Sequence, residues 1–107
     1  MPTSPYPLSK HQVRGEAAVE LDYTNYRGER SLRCVVPITF YHGHNDYHGV
    51  AWIMVAYEPE RRVVREFDMN AVHKWTTRPL PPATPMPSVV EYQLLEDGSK
   101  VWTARWL

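Results

Sequence analysis

Hydrophobic and polar residues alternate along two early segments of the chain, and this alternation predicts two half-buried β-strands. The first strand covers residues 19–24, where every second residue is apolar. The second covers residues 30–41 and places Cys34 on its apolar face, so we expect a buried and chemically inert thiol. Pro37 has no N–H to donate to a sheet, which indicates a bulge, a bend or a sheet edge at that position.

The longest apolar run covers residues 50–57 and predicts a strand that is buried on both faces. We expect Trp52 to be the central core residue of this strand, so that Trp52→Ala would unfold the protein. Residues 62–67 predict another short strand. After it, Asp68 can cap a single helical turn within residues 69–75.

The residue composition near the two ends of the chain predicts an arm, a strap and a hairpin. Residues 1–15 have no sustained periodicity and predict a flexible arm. Five prolines within residues 77–87 exclude a helix or a central strand and predict an extended strap. Asp97-Gly98 lies between two apolar segments and predicts a C-terminal β-hairpin. The chain is therefore expected to be all-β, a small β-barrel of five to seven strands with one short helical turn.

The predicted organisation has four parts: the arm (1–15), the barrel (16–76), the strap (77–87) and the hairpin (88–107), which packs on the barrel or extends it. Length supports one domain, because 107 residues amount to 12.5 kDa. Twelve basic and twelve acidic residues give a formal net charge of zero, so any binding of nucleic acid requires a local basic patch.

A single cysteine excludes disulfides within the chain and any multi-cysteine zinc site, and it fits a reducing compartment. The first eight residues contain no apolar signal region, and no apolar run approaches the roughly 20 residues of a membrane helix. We therefore expect a cytoplasmic protein with no membrane partner.

Three segments, residues 21–37, 51–58 and 64–72, resemble the WYL-domain family in their order and spacing. They hold an aromatic-rich strand, a Gly turn, a basic strand that ends in Val-x-Pro, a motif strand and an Arg-x-Phe sequence. The motif tripeptide itself is Trp52-Ile53-Met54, and the aromatic and histidine residues before it look like those of small bacterial and phage WYL-like proteins. The resemblance implies an Sm-like or SH3-like barrel that senses a ligand, often nucleic acid or a nucleotide, in a regulatory role. The ligand expected here is a nucleic acid, a nucleotide, an acidic peptide or another anionic group.

The resemblance and the strand pattern together indicate a set of basic and aromatic ligand-binding residues: Arg30, Arg33, Arg65, Tyr23 and Tyr41. A guanidinium can hold a phosphate or carboxylate with two hydrogen bonds, and a tyrosine ring can stack on a base. The alternative is that the arginines form ion pairs on a solvated face and the tyrosines pack. The acidic candidates for such pairs are Glu20, Asp22, Glu58 and Glu66.

A second hypothesis is a protein-interaction or structural subunit of phage or mobile-element origin, including a homodimer. In this hypothesis Trp102 and Trp106 of the hairpin are interface anchors, and the alternative for both is packing against the barrel.

Enzymatic function is a third hypothesis and rests on a histidine cluster in a predicted loop, His42, His44 and His48. Imidazoles can bind zinc, but this spacing matches no established zinc signature, and packing is the simpler interpretation. The sequence also contains no nucleophile elbow and no phosphate-binding glycine-rich loop. We therefore expect a non-enzymatic protein with no metal and no cofactor.

Overall fold

A computed structural model describes residues 10–13, 18–45, 49–81, 83–97 and 100–106. The described residues form eight strands and one 3₁₀ turn. In chain order these are β1 (Lys10–Gln12), β2 (Val19–Thr24), β3 (Arg30–Asn45), β4 (Gly49–Glu58), β5 (Val63–Asp68), the 3₁₀ turn (Met69–Ala71), β6 (Val72–Thr77), β7 (Val89–Leu94) and β8 (Lys100–Arg105). No helix in these ranges is long and apolar enough to cross a membrane.

The strands form two antiparallel sheets. The larger sheet has the order β5-β4-β3-β2-β6, and the smaller has the order β1-β7-β8. The all-β prediction is confirmed. Both sheets are open in the described residues, so the closed barrel stays a prediction.

β3 carries the bend that Pro37 predicted. Its register against β4 shifts between Pro37 and Thr39, which identifies an irregularity of the β-bulge type. The shift moves alternate residues to the opposite face: Val35 packs on one face of the sheet, whereas Tyr41 packs on the other. A strand of 16 residues can in this way contribute to both faces of the core.

The core occupies both faces of β4, as its continuous apolar sequence predicts. On one face, which we call the inner face, Met54 and Ala56 pack with Leu21 and Phe67. On the opposite face, the smaller sheet and the strap cover apolar residues that include Ile53, Val55 and Tyr57. The covering side chains are Val13, Leu80, Met86, Trp102 and Ala104. The strap is therefore a packed connection between β6 and β7.

The single helical turn predicted after Asp68 is present as a 3₁₀ turn. Asp68 accepts a hydrogen bond from the Asn70 backbone N–H at 2.8 Å and caps this turn of three residues. The rest of the range in which the turn was predicted, up to Trp75, belongs to strand β6, which pairs with β2. The reason is that β2 offers a free edge, and strand pairing satisfies more backbone groups than a second helical turn would.

The prediction that Trp52 is a core residue is wrong, because its side chain is 57% exposed. Trp52 lies on the inner face of β4, two residues before Met54, but β5 pairs with β4 only from Ile53 onward. β2 likewise pairs with β3 only up to Val35. In the described structure the end of the β3–β4 hairpin therefore consists of two strands only. There the centroids of the Trp52 and His42 rings are 5.2 Å apart.

Two other predictions, for the N-terminal arm and for Cys34, need correction. The prediction of a flexible arm is wrong for Lys10–Gln12, which form a strand along the free edge of β7. Val13 is also described, and the other residues of 1–15 lie outside the described ranges. Cys34 is only partly buried, and Leu32, two residues before it on the same face of β3, is exposed. Burial still raises the pKa of the Cys34 thiol. The two strands of the predicted C-terminal hairpin do pair antiparallel.

Candidate functional site

Two of the predicted ligand-binding arginines, Arg33 and Arg65, meet at one buried carboxylate. Arg65 donates from Nε to Glu58 Oε1 at 3.0 Å, and Arg33 donates from Nη1 to Glu58 Oε2 at 3.5 Å. Arg61 donates from Nη1 to the same Oε2 at 2.7 Å. We call these four residues the Glu58 cluster.

Strand periodicity explains the position of Glu58. It is the last residue of β4 and shares the inner face with Met54 and Ala56 at a spacing of two. This places a carboxylate where only 1% of the side chain is exposed. A charge in such a position is tolerated only when it is paired and hydrogen-bonded. The three guanidiniums supply that compensation.

The Glu58 cluster contains more positive than negative charge. Three guanidiniums share one carboxylate, so two positive charges are not neutralised within the cluster. The Arg65 and Arg61 side chains are 45% and 47% exposed, whereas that of Arg33 is 13% exposed. The surplus charge is therefore available to solvent.

A cleft of about 410 Å³ lies next to this cluster, along β5. Its lining combines basic, acidic and aromatic side chains: Tyr23, Asn25, Tyr26, Arg33, Val64, Arg65, Glu66, Phe67, Asp68, Lys100 and Trp102. The volume is within the range of small-molecule and peptide sites, which is roughly 300 to 1,000 Å³.

Two tyrosines from β2 and the β2–β3 turn form one aromatic wall of the cleft. Tyr23 is buried and contacts Phe67 edge to face, with ring centroids 5.0 Å apart. Burial raises the pKa of Tyr23, so its hydroxyl stays protonated at neutral pH. Tyr26 is 54% exposed and receives a hydrogen bond from Arg27 Nε at 3.1 Å. An aromatic group in the cleft would meet Tyr23 as a floor and Tyr26 at the rim.

The opposite wall comes from the smaller sheet. Lys100 Nζ lies 3.7 Å from Glu66 Oε2 and 4.2 Å from the centre of the Tyr41 ring. Tyr41 donates its hydroxyl hydrogen to the same Glu66 oxygen. Burial lowers the pKa of Lys100, and the Glu66 carboxylate opposes that change. We call these three residues the Glu66 cluster.

The cleft brings together three of the five predicted ligand-binding residues, Tyr23, Arg33 and Arg65. Arg30 lies elsewhere and forms two hydrogen bonds of 2.8 Å with the Asp22 carboxylate. Tyr41 does not line the cleft, but it contacts two residues that do, Glu66 and Lys100. All three arginines thus form the ion pairs that the alternative predicted. Arg33 and Arg65 form theirs while they also line the cleft.

The two hairpin tryptophans have different surroundings. Trp102 lines the cleft and packs against the apolar cluster that contains Ile53. Trp106 is 51% exposed and contacts Tyr57 edge to face, with ring centroids 6.3 Å apart. Trp102 is therefore a packing residue, whereas Trp106 leaves half of its surface to solvent.

Sequence reasoning did not assign Lys100 or Glu58 to the site. A signal for Lys100 was available, because it alternates with Trp102 and Ala104 and so shares their covered face. Glu58 was considered only as a surface ion-pair partner. The burial of Glu58 depends on strands that are distant from it in sequence, so no pattern in the neighbouring residues predicts it.

The histidine cluster cannot be assembled from the described residues. His42 lies beside the Trp52 ring, whereas the His44 side chain and His48 are outside the described part. Among the described residues, no group of three His, Cys, Asp or Glu side chains is arranged to hold a metal ion. No family model, curated protein or solved structure matches this chain.

Proposed function

We propose that this chain is a non-enzymatic, WYL-like binding module that recognises an anionic ligand in the cleft beside β5. The observation that carries the proposal is the Glu58 cluster, in which three guanidiniums share one buried carboxylate. Two of these arginines, Arg33 and Arg65, also line the cleft. Glu58 fixes the orientation of their side chains before a ligand binds, which reduces the entropic cost of binding.

The strand arrangement also supports the expected kind of module. The larger sheet has five strands, and its two edge strands, β5 and β6, are joined by the 3₁₀ turn. Because this turn is short, the sheet must curl until the end of β5 lies close to the start of β6. This is the arrangement expected of an SH3-like barrel, a fold that binds ligands along a sheet face or edge.

The proposal can be tested by NMR titration of the backbone amides. The probes are inorganic phosphate, adenosine monophosphate and labelled single-stranded DNA and RNA, each at two salt concentrations. At low salt, at least one probe should shift the amides of β5 and of the β2–β3 turn. Higher salt should weaken the binding, because the contact is ionic.

Two matched variants identify the residues responsible. Arg65→Gln should weaken binding by about tenfold or more. The control is Arg78→Gln, which removes an exposed arginine that is also paired with a carboxylate, Glu20, outside the cleft. The absence of any bound anion, or equal losses in the two variants, would contradict the proposal.

A further inference from the structure

The cleft follows the free edge of a strand. β5 contributes five consecutive residues to its lining, from Val64 to Asp68. Consecutive residues of a strand point to opposite faces, so only a groove that runs along the strand edge can be lined by all of them. β8 contributes two residues at a spacing of two, Lys100 and Trp102, so it lines the cleft with the side chains of one strand face.

The edge of β5 carries backbone groups that no strand satisfies. In the described residues β5 pairs with β4 on one side only and ends the larger sheet. An edge of this kind can accept an added strand from another polypeptide, whose backbone then supplies the missing hydrogen bonds. The span from Val64 to Asp68 is roughly 13 Å, enough for about four extended residues.

The charges of the cleft distinguish a peptide from a nucleic acid. The surplus positive charge is at one end, where Arg33 and Arg65 belong to the Glu58 cluster. Farther along the strand Lys100 also lines the cleft, but it is paired with the Glu66 carboxylate, and Asp68 adds a second acidic side chain, so this part of the described lining has no surplus positive charge. A chain of phosphates would meet these carboxylates, whereas a peptide with one acidic side chain can place it beside Arg65 alone.

We infer that the ligand is a short acidic peptide that adds to the free edge of β5 as an antiparallel strand. Antiparallel pairing matches every strand pair of the two sheets. Its acidic residue lies opposite Arg65 and meets the guanidinium on the inner face. The residue two positions earlier in the peptide lies opposite Phe67, beside Tyr23, and is apolar. The inference rests on the proposed function, since it identifies the ligand of the same cleft.

The test uses the whole chain and a peptide of six residues, the length of β5, with the sequence Ser-Val-Thr-Glu-Thr-Ser and blocked ends. Isothermal titration should detect binding, and replacing the peptide glutamate with glutamine should weaken it by about tenfold. Arg65→Gln should cause a similar loss, and Arg78→Gln should not.

Two N-methylated peptides test strand addition itself. One carries methyl groups on the amides of its odd residues and the other on the amides of its even residues. Alternate amides of a strand point to the same neighbour, so only one of the two patterns should abolish binding. Alternate amides of β5 should also become protected from hydrogen exchange when the unmodified peptide binds.

The outcomes separate the inference from the proposed function. If phosphate or a nucleotide binds in an Arg65-dependent way and the peptide does not, the inference is overturned and the proposed function stands. If neither class of probe binds, the proposed function fails with it. If the two methylation patterns have the same effect, or neither weakens binding, no single edge of the peptide pairs with β5, and strand addition is overturned.

Discussion

Glu58 and Glu66 are two carboxylates near the same cleft that differ in how many cations each one pairs with. Glu58 forms ion pairs with three guanidiniums, and the side chains of Arg61 and Arg65 are about half exposed to solvent. Glu66 forms an ion pair with the Lys100 ammonium group and accepts a hydrogen bond from the Tyr41 hydroxyl, and the Lys100 side chain is only 7% exposed. The first cluster has a surplus of positive charge, and the second does not.

The difference indicates two roles for similar chemistry. The Glu66 cluster joins β3 and β5 of the larger sheet to β8 of the smaller one, and its charges match one to one. It is suited to holding the sheets together. The Glu58 cluster lies within the larger sheet and its adjacent turn, where one carboxylate orients more cations than it neutralises. It is suited to recognition of an anion.

Removing Glu58 should have the largest effect on the free energy of unfolding. Glu58→Ala leaves Arg33, which is 13% exposed, with no counter-charge at its observed position. Breaking a buried ion pair from one side costs about 3 kcal/mol. Urea denaturation measures this loss, and Glu60→Ala at the neighbouring exposed position should change the free energy by less than about 0.5 kcal/mol. Similar losses in both variants would mean that Glu58 is not a buried counter-ion.

Removing the ammonium group of the Glu66 cluster should have a smaller and more local effect. Lys100→Met retains the apolar stem but leaves Glu66 with only the Tyr41 hydroxyl of this cluster, at a cost of about 1 to 2 kcal/mol. Hydrogen exchange should accelerate most in β7 and β8, because their attachment to the larger sheet weakens. Uniform acceleration throughout both sheets would contradict the assignment of this cluster to sheet packing.

Arg61→Ala should cost less than either change. Glu58 keeps Arg33 and Arg65 as partners, and Arg61 is already half exposed. An exposed ion pair contributes about 0.5 kcal/mol. Urea denaturation should therefore show a loss well below that of Arg33→Ala. Equal losses for the two arginines would show that the Glu58 cluster has no surplus cation.

The smallest effect is expected at a third carboxylate, Asp22, whose ion pair with Arg30 is exposed to solvent. Hydrogen bonds from Arg30 hold the pKa of Asp22 below its ordinary value of 3.8. A lowered carboxyl pKa contributes stability that is present above the ordinary value and is lost as the pH falls through the lowered one. Asp22→Asn should therefore be slightly less stable than the unaltered protein at neutral pH. The difference should shrink as the pH falls below 3.8 and disappear once the pH is well below the lowered pKa of Asp22. A difference that is as large there as at neutral pH would contradict this account.

Much of the fold follows from local patterns in the sequence. The period of two in β2 and the continuous apolar run of β4 are confirmed, and Pro37 lies at an irregularity of the pairing between β3 and β4. Each depends on residues that are neighbours in the chain, since side-chain alternation and the missing proline N–H act locally. The family resemblance and the strand pattern together predicted Tyr23, Arg33 and Arg65 as ligand-binding residues, and these three line the same cleft.

The tertiary structure decided the positions that depend on where neighbouring strands end. Trp52 and Met54 share a strand face, yet Trp52 is exposed, because β5 starts its pairing with β4 only at Ile53. Glu58 follows the same alternation into the core, where arginines of β3, of β5 and of the turn before β5 surround it. Periodicity determines which face a side chain occupies. Whether that face is covered, and by which charges, depends on the register between strands that are far apart in sequence.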